Sequence, residues 1–414
     1  MKGIGPRNGL LAKIFTVLAG GVLAQIIAFA STPWVTRLYT PTEFGVFSNV
    51  SVFAGFLMPL LSLSLPMAVV LTRGKGRGRA FAKGTMLLSC LGGLVLLGLS
   101  LVVWLSGAEA TAYAIAMATL FGLGIALQES IMYLYIKEQY YSIRAGLLVI
   151  QALIVAGLKI ALGYIDSSAN SLIWSSIIGY SLVNLVAVLH LQLFSVKFNR
   201  LNFYAALKSK TQFIKFRTPQ NLLSNLNLLL PVSVLTYFFS AGDAGLYALA
   251  RTVIILPATI LGKSITDVLY PKMVDMVKGK QHVSQILNKS VLALSLITVL
   301  PLVILEWQGD YLFDLVFGDK WSGSADYAKW VMVWVFFNII NKPHTALIPV
   351  FNLEKKFLKN SVSNFILTCA GLAVGVFWIK DPVQSIKWMS LLTVVPQLMI
   401  VVIVMSRVRD YEKK

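Results

Sequence analysis

A small set of ionisable side chains falls within or beside long apolar runs of this sequence. The basic members are Arg37, Lys159, Arg251 and Lys342, and the acidic members are Glu129 and Asp267. A charge placed in hydrocarbon costs about 2.5 kcal/mol or more, so such residues are kept for function or for pairing. Because Arg and Lys form charge-assisted hydrogen bonds to phosphate, the basic excess favours a phosphate-bearing ligand.

Each basic candidate also has a structural interpretation. Arg251 has no acid three or four residues away, so its partner is either another helix or a ligand. Arg37 lies close to Glu43 in the sequence and is able to pair with it. Lys159 falls near the external end of its apolar run, from which its amine can reach outward.

The remaining candidate residues are a lysine beside a predicted helix break and two acids that could bind a coupling ion. Lys342 precedes Pro343, which must interrupt the helix, and unpaired backbone is tolerated at membrane depth only beside protein or water. Lys342 is therefore predicted to line a polar cavity wall. Glu129 and Asp267 are candidates for binding a coupling cation or proton. Simple pairing with a lysine, such as Lys263 for Asp267, is the alternative.

The elements that must position these side chains are membrane-spanning helices. Of the 414 residues, 57% are hydrophobic and 13% are charged, whereas a soluble domain carries about 25% charged residues. At about 20 apolar residues per crossing, twelve spans are predicted. They cover approximately 14–38, 44–71, 84–106, 111–136, 145–165, 170–194, 218–239, 245–270, 290–312, 328–350, 361–379 and 386–406.

The basic residues outside the spans alternate in their placement. Most of the 36 Lys and Arg residues lie before the first span, after the even-numbered spans and at the C-terminus. The opposite loops hold few. Because cytoplasmic loops collect Lys and Arg, both termini are predicted to be cytoplasmic, in the bacterial inner membrane. Contact with anionic lipid then explains the net charge of +19, and no nucleic-acid partner is expected.

An internal repeat divides the chain into two halves. EFGVFSNV at 43–50 and DAGLYALA at 243–250 share an acid, a glycine and an aromatic residue at the same spacing. The segment 197–217 alternates basic and aromatic residues and reads as an amphipathic interfacial linker. The predicted fold is an all-α membrane protein with a six-helix lobe at 1–196, the linker at 197–217 and a second lobe at 218–414. A pseudo-two-fold axis along the membrane normal is expected to relate the lobes.

The sequence lacks the common motifs for catalysis and for nucleotide binding. It has no phosphate-binding glycine loop, zinc-protease motif or nucleophile elbow, and its external loops are short. We therefore predict no enzyme activity, no catalytic residue, no metal and no cofactor. A membrane-embedded polysaccharide enzyme is the weaker alternative, since polymerases generally carry a large basic external loop.

Three stretches resemble the polysaccharide (O-antigen type) flippases, whose superfamily also includes multidrug-and-toxin exporters and the lipid II flippase. These stretches are RLYTPTEFGVF at 37–47, AGDAGLYALA at 241–250 and LFDLVFGDKWSGSA at 312–325. The lipid II branch typically has further C-terminal spans that this sequence does not show, which disfavours a peptidoglycan role.

The resemblance implies a specific substrate and mechanism. It predicts a flippase that moves undecaprenyl-pyrophosphate-linked sugar repeats to the periplasmic leaflet by alternating access, within lipopolysaccharide synthesis. It also implies that cavity Arg and Lys residues bind the pyrophosphate, with Arg37 and Arg251 in or beside the matching stretches. The partners implied by the resemblance are membrane lipid, a polysaccharide polymerase and a chain-length regulator. A multidrug or small-solute antiporter on the same scaffold is the main rival.

Overall fold

The computed structural model describes residues 8–72, 74–208, 210–211, 213–279 and 281–413, and no β-strand occurs in these ranges. Some side chains within them, including those of Lys263 and Asp267, lie outside the description. Backbone contacts divide the chain into two compact units, 1–229 and 230–414. The predicted linker and lobe boundaries stay predictions.

The helices of the first unit follow the predicted spans, except the short helix Arg200–Lys208, which falls in the predicted linker. They are α1 (Asn8–Leu38), α2 (Pro41–Ser62), α3 (Lys75–Leu105), α4 (Glu109–Lys137), α5 (Tyr141–Ile165), α6 (Ala169–His190), α7 (Arg200–Lys208) and the first part of α8 (Thr218–Phe238). Helix α1 packs along α5, and α4 packs on both α2 and α3. The core contains two apolar clusters, one around Ala54 and Phe121 and one around Ile131 and Leu134.

The second unit continues from the end of α8. Its helices are α9 (Ala241–Lys278), α10 (Ser284–Phe317), α11 (Ser324–Ile340), α12 (Lys342–Leu347), α13 (Glu354–Ala373) and α14 (Pro382–Glu412). Helix α11 contacts α9, α10 and α14, and α13 packs on α14. A core cluster that includes Leu287, Leu347 and Val404 closes one end of this unit.

Many apolar side chains on these helices face outward, as expected for contact with lipid. Leu94 and Val95 of α3 are 64% and 72% exposed, and Leu296 and Leu300 of α10 are 69% and 62% exposed. Ten of the described helices are long and apolar enough to cross a membrane. The all-α membrane fold is therefore confirmed, whereas the count of twelve spans is not.

Helix ends differ from the predicted spans where backbone geometry intervenes. The predicted span 44–71 stops at Ser62, because Leu63 and Ser64 adopt positive φ angles of 48° and 51°. A short 3₁₀ turn follows at Pro66–Val69. The predicted span 328–350 is likewise divided into α11, which ends at Ile340, and α12, which carries Pro343 in its first turn, a position where proline is favoured.

Candidate functional site

The repeated turn of the first unit is built around a capped helix start. The Thr40 side chain accepts a hydrogen bond from the Glu43 amide, and the Glu43 carboxylate accepts one from the Thr40 amide at 3.1 Å. This reciprocal capping box fixes the start of α2. Arg37 is exposed at the end of α1 and forms no ion pair with Glu43 or any other described acid.

The same turn packs directly against Lys159 of α5. The Lys159 amine lies 4.2 Å from the centre of the Phe47 ring, within the range of a cation–π contact. Tyr39 is fully buried and donates a hydrogen bond of 2.8 Å to the Lys159 carbonyl. A side-chain carbon at Gly163 would come within 2.9 Å of the Tyr39 ring, so glycine permits this approach.

The amine of Lys159 therefore meets an aromatic ring but no counter-charge in the described part of the chain. A cation–π contact contributes about 0.5–2 kcal/mol and leaves the ammonium able to donate to an anion. Burial raises the pKa of Tyr39 to about 12, and the Asp166 carboxylate adds to this effect. Tyr39 thus keeps its proton and its bond to the Lys159 backbone at neutral pH.

The repeated turn of the second unit shares the cap but has a different neighbourhood. The Ser240 side chain accepts from the Asp243 amide at 3.0 Å, and the Asp243 carboxylate accepts from the Tyr327 hydroxyl at 2.9 Å. The Tyr247 ring meets Tyr327 edge-on at 6.2 Å. Arg251 lies one turn beyond Tyr247 on α9, within electrostatic reach of its hydroxyl. No ion pair of Arg251 occurs among the described residues.

Lys342 begins α12 and packs on α9. A side-chain carbon at Gly262 would come within 3.0 Å of the Lys342 Cε, so the lysine stem lies across this glycine. Beside the break, the Asn341 amide donates to the Gln397 backbone carbonyl at 2.8 Å. The Asn341 carbonyl oxygen and His344 Nδ1 are buried and have no partner among the described groups. The break therefore creates a polar interior, and the cavity wall stays a prediction.

Lys342 and Arg251 do not lie side by side. Arg251 belongs to α9, whereas the Lys342 stem crosses α9 at Gly262, eleven residues further along. This separation is about 16 Å along a helix at 1.5 Å per residue. In the first unit, by contrast, Arg37 and Lys159 both adjoin the turn that contains Tyr39. The basic candidates thus occupy distinct places within each unit, and their role in pyrophosphate binding stays a prediction.

Glu129 lies on α4, in a cluster with residues from two other helices. The charge that acts on Glu129 comes from Arg217, and the Tyr133 hydroxyl is within electrostatic reach of Glu129, Arg217 and Arg144. One carboxylate oxygen of Glu129 and the Nε atoms of both arginines are buried without described hydrogen-bond partners. The neighbouring cations are therefore arginines rather than a lysine. The side chain of Asp267 lies outside the described residues.

Several residues of these sites were not singled out from the sequence. Phe47 was recognised as part of the repeat, but nothing in the sequence indicated its contact with Lys159. Tyr39 and Tyr327 were missed, although both lie within the matching stretches or just beyond them. Tyrosines at span ends, beside a repeated turn, are the signal that would have identified them, because their hydroxyl groups require partners when buried.

A family model described as "Polysaccharide biosynthesis protein" matches residues 34–326, a range that includes both repeated turns. The chain belongs to this family. The curated Lipopolysaccharide biosynthesis protein WzxC of Escherichia coli (strain K12) is 26% identical to this chain over 196 residues. That match covers 44% of this chain and 40% of WzxC, so it spans less than half of the relative's length.

Solved structures match this chain over nearly its whole length. A MATE transporter in complex with MaL6 aligns with a TM-score of 0.60 and 11% identity, covering 97% of each chain. An inward-facing multidrug resistance MATE transporter of the MOP superfamily aligns at 0.59 and 11% identity, covering 95% of this chain and 96% of that one. A MOP superfamily transporter from Pyrococcus furiosus aligns at 0.53 and 13% identity, covering 97% and 96%.

At these identities the structural matches establish the fold alone. The family match confirms the predicted membership of a polysaccharide biosynthesis family. The protein is therefore a multi-pass membrane protein of a polysaccharide biosynthesis family, with the fold of the MATE structures.

Proposed function

We propose that this protein moves an undecaprenyl-pyrophosphate-linked oligosaccharide from the cytoplasmic to the periplasmic leaflet of the inner membrane by alternating access. The proposal rests on the missing counter-charges of Lys159 and Arg251 among the described residues. Each lies on a helix beside a repeated turn, and neither has a counter-charge among the described residues. A charge without a partner at membrane depth is costly, which supports a role for both in holding a phosphate group.

The chemistry of the ligand follows from the two cations. Arginine offers a planar set of donors that matches phosphate oxygens, and lysine adds a compact positive charge. A membrane potential that is negative inside drives an anion outward by about 2.3 kcal/mol per charge per 100 mV. Outward movement of a pyrophosphate-linked lipid is thus favourable without nucleotide hydrolysis. Arg37 and Lys342 are proposed as secondary contacts along the path.

Replacement of the two cations in a strain that depends on this protein for a surface polysaccharide tests the proposal. We expect Lys159→Ala and Arg251→Ala each to reduce surface polymer at least tenfold at equal protein levels in the membrane. This corresponds to a lost charged hydrogen bond of about 1.5–3 kcal/mol. Lys159→Arg should recover much of the loss, because it restores the positive charge.

Lys387→Ala is the matched control, because Lys387 also makes a cation–π contact, with Trp330 at 4.8 Å. It lies in the first turns of α14 and belongs to neither repeated turn, and we expect normal polymer from this variant. Normal polymer from both Lys159→Ala and Arg251→Ala would contradict the proposal.

A multidrug antiporter is the second candidate, because the solved structures of this fold include multidrug resistance transporters. A cationic drug would be repelled by uncompensated Lys159 and Arg251. Saturable binding of an organic cation such as tetraphenylphosphonium, with no binding of a polyprenyl pyrophosphate, would favour the antiporter.

A further inference from the structure

The first unit contains a cavity that is separate from the repeated turn. Its volume is about 570 Å³, and it lies between the start of α3 and the segment that carries α7. Its lining includes the basic residues Arg77, Lys197 and Lys210, and the aromatic residues Phe81, Phe198 and Phe203. The loops that form it are on the side predicted to be cytoplasmic.

Aromatic packing builds the apolar part of this cavity. The Phe203 ring of α7 lies 5.6 Å from the ring of Phe81 on α3 and 5.6 Å from the ring of Phe198. A side-chain carbon at Gly84 would overlap the Phe203 ring, so glycine at this position lets α7 dock closely on α3. The three rings thereby form one continuous apolar surface.

A lysine outside the cavity anchors the connecting segment. The Lys83 amine donates to the Phe194 carbonyl at 3.1 Å and to the Val196 carbonyl at 2.9 Å. These bonds hold the segment after α6 against α3 and so position Lys197 at the cavity. The cavity is therefore a built feature of the unit, with walls fixed by both packing and hydrogen bonds.

Two basic residues near the cavity, Arg79 and Lys137, already have partners within the protein. Arg79 forms an ion pair of 2.6 Å with Glu138, whose side chain is fully buried. Lys137 donates to the Val69 carbonyl and to the backbone and side chain of Thr72. Arg79 and Lys137 therefore stabilise the fold, and their charged groups are already hydrogen-bonded within the protein.

The three cations that line the cavity differ from Arg79, Lys137 and Lys83. In the part of the chain that the structure describes, Arg77, Lys197 and Lys210 have no ion pair and no side-chain hydrogen bond. No Asp or Glu occurs among the described residues of the lining. The cavity therefore combines an uncompensated positive wall with an apolar floor.

The position of α7 relates the cavity to the membrane surface. Leu201 and Tyr204 of this helix are 80% and 66% exposed, whereas Phe203 packs inward. An amphipathic helix of this kind lies in the headgroup region, with exposed apolar and aromatic side chains in contact with lipid. Basic pockets at this level recognise phosphate headgroups.

We propose that this cavity binds the phosphate group of a membrane lipid. Arg77, Lys197 and Lys210 contact the phosphate oxygens, and the first part of the lipid chain packs on the phenylalanine rings. Two lipids offer this chemistry, an anionic phospholipid and a polyprenyl pyrophosphate. The site is separate from Lys159 and Arg251, so it holds whether or not the proposed transport function does.

Lipid binding to the purified full-length protein in detergent tests the proposal by native mass spectrometry. The probes are phosphatidylglycerol, a polyprenyl pyrophosphate and, as a lipid without net charge, phosphatidylcholine. We expect Arg77→Gln, Lys197→Gln and Lys210→Gln, combined, to weaken binding of at least one anionic probe tenfold or more. The affinity for phosphatidylcholine should stay unchanged.

The matched control removes the same charge elsewhere. Lys355→Gln, Lys356→Gln and Lys359→Gln, combined, affect exposed residues in the first turns of α13, and we expect wild-type lipid binding. Equal weakening by this control would attribute the effect to net charge and would overturn the proposal.

A second variant fills the cavity and leaves every charge in place. A side-chain carbon at Gly76 would meet nothing within 4 Å, so Gly76→Trp extends into open space and Gly76→Ala does not fill it. We expect weaker lipid binding from Gly76→Trp only. Preferential loss of phosphatidylglycerol identifies a resident phospholipid, and preferential loss of polyprenyl pyrophosphate identifies a loading site. Unchanged affinities for both anionic lipids in Gly76→Trp and the triple variant would refute the site.

Discussion

The two repeated turns share a local structure and differ in what packs against them. Thr40 and Ser240 cap α2 and α9 in the same way, each accepting from the amide of the acid three residues later. In the first unit the turn then meets Lys159 of α5, whereas in the second Asp243 binds the hydroxyl of Tyr327 on α11. The two turns thus share the cap and differ in their tertiary neighbours.

This difference determines how each unit presents a positive charge. The first unit supplies Lys159 from another helix, held by Tyr39 and facing Phe47. The second supplies Arg251 from the same helix as its turn, one turn past Tyr247. The two cations therefore occupy different positions relative to their turns, and each is open to separate testing.

The largest effect is expected from a change that separates the first turn from α5. Gly163→Leu would drive a side chain into the Tyr39 ring and should destabilise the protein by about 3 kcal/mol. Thermal unfolding in detergent measures this. Gly157→Leu is the control on the same helix, since a side-chain carbon there meets nothing within 4 Å. Equal melting temperatures for the two variants would refute the packing described for Tyr39.

A smaller effect compares the tyrosine hydroxyl groups of the two units. Tyr327→Phe removes a bond to the Asp243 carboxylate and should cost about 2 kcal/mol, because hydrogen bonds to charged groups contribute more. Tyr39→Phe removes a bond to a neutral backbone carbonyl and should cost about 1 kcal/mol. Denaturant unfolding of both variants measures the difference. The reverse order of stabilities would contradict the assignment of the charged network to the second unit.

The smallest effects concern the shared caps. Thr40→Ala and Ser240→Ala should each cost about 1 kcal/mol, because each removes the acceptor for one amide at a helix start. Hydrogen exchange at the first turns of α2 and α9 reports the loss. Similar increases in exchange are expected, and Thr40→Ser should restore the first. A large effect in only one unit would mean that the caps are not equivalent.

The sequence predicted the parts that are encoded locally. Apolar runs predicted the helices, and the spacing of Glu43 and Asp243 with their glycines predicted both turns. The C-terminal end of α2 was misplaced, because the apolar run continues past Leu63 and Ser64, where the backbone is left-handed; Pro66 is the sequence signal for this end.

Contacts between distant residues were beyond the same reasoning. Helices α3 and α4 separate Phe47 from Lys159 in the sequence, and Arg217, which acts on Glu129, lies 88 residues after it. Periodicity reports which face of a helix is apolar but not which helix lies against it. The family match identifies a polysaccharide biosynthesis protein and covers both repeated turns.

The most direct measurement is the affinity of the purified protein for a polyprenyl pyrophosphate, compared with that of the Lys159→Ala, Arg251→Ala double variant. Loss of two charged contacts predicts binding at least a hundredfold weaker, and binding of tetraphenylphosphonium should not improve on that of the pyrophosphate in the wild type. Equal affinity of the wild type and the double variant for the pyrophosphate would contradict the account.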